Sequence, residues 1–86
     1  MPTGREMMTD WVVEALEARG RHATILEVCK HVWAHHESNI REAGDLMYEW
    51  QYEIRWAGDL LRRSGAMKAA SESPKGVWEL ANDARA

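Results

Sequence analysis

Eighty-six residues, 45% hydrophobic and 29% charged, describe one small globular domain that buries about 60–65% of its unfolded surface. A single cysteine, Cys29, excludes an internal disulfide, and no apolar run reaches the ~20 residues that span a bilayer. The net charge of −3 is unevenly placed: residues 1–53 hold five Lys/Arg against ten Asp/Glu, whereas residues 54–76 hold five against two.

The first elements read clearly. Thr3 and Glu6 have the spacing of a capping box, which opens a helix over about 4–19. Met8, Val12, Ala15 and Leu16 fall on one face of it, with Trp11 and Val13 at the edges, and Gly20 supplies the C-cap. His22 and Ala23 suffice for a short edge pairing. Thr24 and Glu27 repeat the capping-box spacing and start a second helix, with Ile25, Cys29, Val32 and His36 on its inner face. Val28 and Trp33 widen that face. This helix is expected to end near His36, and the polar stretch 37–44 reads as a connection.

Asp45 is a suitable N-cap for a third helix that runs to Arg63 and stops at Gly65. Trp50, Ile54, Ala57 and Leu61 form its inner stripe, flanked by Met47 and Leu60. Tyr48, Gln51, Tyr52, Arg55, Asp59 and Arg62 face outward. After Gly65 the period changes: "AMKAA" and "VWEL" alternate, and "SESPKG" between them is turn chemistry, which predicts a β-hairpin. The fold class is therefore mainly α, a winged helix-turn-helix of three helices with a two- or three-stranded wing sheet. One domain covers 1–86. Its expected core is Val12, Leu16, Ile25, Cys29, Val32, Trp50, Ile54, Ala57 and Leu61.

The third helix and the tail also carry a resemblance. Trp56 and Ala57, with Leu61 five residues after the tryptophan and Gly65 nine after it, are followed by Lys75, Gly76, Val77 and Trp78. This pattern resembles the N-terminal domain of Mrr-type restriction proteins, and "VVEALEARG" is similar to that family's first helix. Glu53 stands where the family has Arg, and Ala66, Ala81 and Ala84 replace its Leu or Ile, its Thr and its Gly. The resemblance implies a winged-helix module that recognises DNA in a restriction or defence system, joined to a separate nuclease domain. It implies that Glu53 removes one basic contact.

The candidate readers of double-stranded DNA, modified or not, are Tyr48, Gln51, Tyr52, Arg55 and Arg62. Arg can bond guanine bidentately, Gln can bond adenine, and Tyr can reach a phosphate or a methyl group. Lys68, Lys75 and Gly76 would set the wing on the phosphate backbone. Arg63 projects from another side, as an exposed ion-pair residue. His31, His35, His36 and Cys29 lack the two separated pairs of a structural zinc site, and Cys29 and His36 are expected to point away from His31. No metal, cofactor or catalytic set is expected. The acidic pairing that a restriction nuclease needs for Mg²⁺ is missing, so the domain is not read as an enzyme. The N-terminus lacks the apolar stretch of a signal peptide, and the lone thiol fits a reducing compartment, so the expected location is cytoplasmic. A competing reading is a winged helix for protein–protein interaction or dimerisation, with Glu6, Asp10, Glu14 and Glu17 meeting a basic partner.

Overall fold

The computed structural model describes residues 4–81, with the backbone alone for Gly4 and Arg5. In chain order it comprises α1 (Gly4–Ala18), β1 (His22–Thr24), α2 (Ile25–Glu42), α3 (Leu46–Ser64), a 3-10 turn (Ala70–Glu72) and β2 (Val77–Glu79). Among the described residues, three α-helices and a two-stranded antiparallel sheet form the fold. The expected capping role of Thr3 lies outside the described residues.

α1 ends as its sequence predicts, with Gly20 at φ +82°, but the reversal takes a second residue. Arg21 also adopts a positive φ, +76°. Side chains rarely tolerate that region, and three bonds hold Arg21 in it. Its own N–H donates to the Leu16 carbonyl at 2.7 Å, and its carbonyl accepts from the Leu80 N–H at 2.9 Å. Its guanidinium donates to the Ala81 carbonyl at 2.8 Å.

The second capping box is formed. Glu27 N–H donates to Thr24 Oγ1 at 3.1 Å, and Thr24 N–H donates back to Glu27 Oε1 at 2.9 Å. The expected end of this helix at His36 needs correction. His36 does leave helical geometry (φ −132°, ψ 19°), but the chain resumes its helix and runs on to Glu42. The stretch read as a connection is therefore a short helical continuation, held down by the fully buried Ile40.

α3 ends at Gly65, whose φ is +87° and whose N–H bonds the Arg62 carbonyl. At its start Asp45 stands at the cap position without a side-chain bond. The tail departs from the expected hairpin. Only "VWE" becomes a strand, and it pairs with β1 in the register Ala23 opposite Trp78. "AMKAA" contributes one bridge, Met67 to Leu80, and two backbone bonds, Lys68 N–H to Glu79 O and Ala81 N–H to Ala66 O. From Ala70 the chain coils into the 3-10 turn. Alanine has little preference for the pleated surface, so the ladder does not extend past Lys68.

The core lies between α1 and α3, closed below by the sheet. Val12, Leu16, Val32, Ile54 and Ala57 are buried as expected, while Ile25, Cys29, Trp50 and Leu61 are only half-buried against them. Met8, Trp11, Ala15, Ala23, Val28, Ile40, Leu46, Met67, Trp78 and Leu80 are buried with them. α3 is rotated slightly from the expected stripe: Leu60 is exposed, whereas Leu46 and Glu53 turn inward.

Candidate nucleic-acid interface

Seven of the eight candidate DNA contacts, all but Lys68, fall into two groups. Tyr48, Gln51, Tyr52 and Arg55 occupy the exposed face of α3, opposite the stripe of Ile54 and Ala57. Tyr48 is 87% exposed and Tyr52 65%. Residues three and four apart on a helix are neighbours, so Tyr48, Gln51 and Arg55 form one line and Tyr48 and Tyr52 a second. Nothing in the interior requires these rings. Large aromatic surface left in water is informative in a way that an exposed charge is not.

The second group gathers where α3 meets the turn before β2. Arg62, Ser73, Lys75, Gly76 and Trp78 border a cleft of about 330 Å³. Val77 N–H closes the turn onto the Pro74 carbonyl at 3.0 Å, and Gly76 takes φ +78°, the conformation that the third residue of such a turn needs. Lys75 at the tip is exposed. Arg62 is half-buried rather than outward-facing, and its Nε donates to the Lys68 carbonyl at 3.2 Å. That bond fixes the guanidinium at the cleft. Lys68 itself is half-buried and does not line this cleft. The Ser73 hydroxyl is buried without a hydrogen-bond partner among the described residues.

Two further expectations for α3 change. Arg63 forms no surface ion pair among the described residues; its guanidinium lies 5.1 Å from the centre of the Trp56 ring, a cation–π contact. Glu53, 8% exposed, lies on the buried side of the helix. A basic residue at that position would not belong to the outward face, so Glu53 subtracts nothing from it.

A third feature was not visible in the sequence. A shallow apolar depression of about 320 Å³ is lined by Leu26, Cys29, Trp33 and Ala34 from α2 and by Trp50 from α3. Lys30 and Gln51 supply polar groups at its rim. Trp33 and Trp50, expected inside the core, are half-buried at its edge, stacked on each other at 5.3 Å with the Arg41 guanidinium over the Trp33 ring. Leu26 remains 64% exposed. Burial pushes the Cys29 thiol above its ordinary range, with Arg55 acting weakly in the opposite sense, so the thiol stays protonated. The only signal in the sequence was Leu26 itself, an apolar residue off the inner face.

On the far side, the kink at His36 brings together residues expected to diverge. His31 Nε2 donates to Glu14 Oε2 at 2.9 Å, and His36 Nε2 donates to the same oxygen at 3.0 Å. Trp11 stacks on the His36 ring at 4.3 Å, and His35 lies 4.2 Å from His31. The acidic face of α1 is thus partly engaged within the chain. Among the described residues no group of three His, Cys, Asp or Glu side chains is placed to hold a metal ion, and no helix is long and apolar enough to cross a membrane.

No family model, curated protein or solved structure matches this chain.

Proposed function

We propose that the chain is a winged-helix module that binds double-stranded DNA, with α3 in the major groove and the Pro74–Val77 turn on the phosphate backbone. The observation that carries this reading is the continuity of the surface: an exposed Tyr–Gln–Tyr–Arg face on α3 leads into a cleft edged by Arg62 and Lys75. A helix presenting such side chains suits base edges, and cations beside it suit phosphate. The order of elements and the resemblance to Mrr-type N-terminal domains support the same conclusion. The excess of positive charge over residues 54–76 supplies the local field despite the chain's net −3.

Few phosphate contacts limit the strength. One such domain should bind near the non-specific range of ~10⁻⁴–10⁻⁶ M at physiological salt. A second copy or an attached effector domain, such as a nuclease, would raise the effective affinity by linking two sites. The test is fluorescence anisotropy of labelled duplexes, modified and unmodified, at about 50 and 200 mM salt, between which phosphate-dependent affinity drops steeply. Binding that weakens with salt supports the reading. Absence of binding at low salt by a folded domain overturns it.

One observation favours a second reading. The exposed Leu26 and the apolar groove beside it would also suit a winged helix that docks another protein or dimerises.

A further inference from the structure

The cleft beside Arg62 gathers more positive charge than one internal phosphate needs. Arg62, in the last turn of α3, is held through Nε by the Lys68 carbonyl at 3.2 Å, which leaves both Nη groups for an anion. Lys75 adds a second cation, and no acidic side chain borders the cleft. Ile25, on the same border, is the first residue of the 18-residue α2, so the positive end of that helix lies there too. The Glu27 carboxylate of that first turn is engaged elsewhere: it accepts from Thr24 N–H at 2.9 Å and pairs with Arg19 at 3.6 Å. The Ser73 hydroxyl is buried with no hydrogen-bond partner among the described residues, a state that calls for an explanation in a native fold.

We propose that this cleft is a phosphomonoester site, and that its occupant is the terminal phosphate of a DNA strand. The inference rests on the DNA reading above and specifies which DNA. Charge separates a strand end from the interior of a duplex: a phosphomonoester carries about −1.5 to −2 at pH 7, whereas each internal phosphate carries a single charge. Two cations and a helix N-terminus match the former. Shape acts in the same sense. An internal phosphate has a sugar on each side and passes over a surface, while a terminal one enters a cleft from one side. At about 330 Å³ the cleft is at the small end of the ~300–1,000 Å³ typical of small-ligand sites. The guanidinium fork bonds two phosphate oxygens and Lys75 the third. The Ser73 hydroxyl gains its acceptor as the turn draws in. Arg62 stands seven residues, about two turns, beyond Arg55, so the helix that faces the duplex also delivers its end to the cleft.

The experiment compares three labelled DNA hairpins by anisotropy, identical in sequence and ending in a hydroxyl, a 5′-phosphate or a 3′-phosphate. One added charge-assisted contact predicts about tenfold tighter binding of a phosphorylated hairpin than of the unphosphorylated one. Ala70 is exposed and borders the cleft without being a proposed contact. Ala70→Glu puts a carboxylate there and should abolish the difference, with circular dichroism confirming the fold. Equal affinity for all three hairpins overturns the inference while leaving duplex binding intact. A preference that survives Ala70→Glu also overturns it, since the phosphate would then lie elsewhere. Deoxythymidine 5′-monophosphate and a phosphoserine peptide serve as competitors. Displacement of the labelled hairpin by either, as effective as by unlabelled phosphorylated hairpin, would assign the cleft to a free nucleotide or a phosphopeptide and overturn the strand-end assignment. If no hairpin binds, the inference falls together with the DNA reading.

Discussion

Gly58 and Trp78 are in contact so close that no other residue fits the first position. A Cβ built on Gly58 would lie 2.6 Å from both Cη2 and Cζ2 of the Trp78 ring. Real atoms do not approach that closely. The indole is 5% exposed and belongs to the strand paired with β1, so it has little freedom to retreat. Gly58→Ala therefore overpacks the junction of α3 and β2 at about 1–3 kcal/mol, against a helix-propensity gain of about 1 kcal/mol. The expected net effect is a lower midpoint of denaturant unfolding. A more stable variant would mean that Trp78 can swing away.

Substitutions along the inner stripe of α3 should differ by position. Ile54 is fully buried, and Ile54→Ala is expected to cost roughly 2–5 kcal/mol. Leu61 is half-buried, so Leu61→Ala should cost clearly less than that, although both belong to the same predicted stripe. Urea unfolding of the two variants reads the difference directly. Equal losses would contradict the rotation of α3 described above.

The Glu14 cluster makes a prediction about acid. Burial raises the Glu14 carboxyl, but the bonds from His31 and His36 and the charge on those rings outweigh it, leaving the group below its ordinary carboxylate value. A group depressed in the folded state contributes stability above its unfolded value and loses it as the pH falls through the folded one. Wild type should thus lose this contribution below about pH 4.5. Glu14→Gln lacks it, so the variant is less stable at neutral pH and the two unfolding curves converge in acid. Parallel pH profiles would show that the carboxylate does not matter.

On the DNA side, Arg55 and Lys75 should fail in different ways. Arg55→Ala is expected to lose about 1–3 kcal/mol and to relax sequence preference, as for a side chain that reads a base edge. Lys75→Ala should weaken all duplexes alike and reduce the salt slope by about 1, as for a phosphate contact. Titrations at several salt concentrations separate the two. Identical salt slopes for wild type and Lys75→Ala would remove the turn from the interface.

What the sequence made legible was local. The Thr24–Glu27 box and the Gly65 cap depend on neighbours within a few residues, and both are present. The exposed face of α3 followed from helical periodicity alone. The departures come from contacts distant in the chain. His36 leaves the helix where Trp11 and Glu14 engage its ring, and neither was predictable from α2. A glycine inside a helix reads as a weak point, and only the indole twenty residues on explains Gly58. Trp33 and Trp50 fit a core stripe by spacing, and they pack against the core only at its edge, where they also line an apolar depression. The proposed contacts at Arg62, Lys75 and Gly76 were identified one by one, and only the fold brings them to a single cleft.

The pairing of β1 with β2 has a consequence for the order in which the molecule assembles. The bond from the Arg21 guanidinium to Ala81 closes a chain separation of 60 residues, whereas the helices need only near neighbours. Long closures lose entropy before any contact repays it, so the helices should gain protection first and the sheet last. The Lys75 turn and the cleft beside Arg62 depend on that late strand. A newly made chain would therefore display the tyrosine face of α3 before it possesses the cleft beside it, and pulse-labelled hydrogen exchange should find the amides of Lys68 and Leu80 among the slowest to become protected.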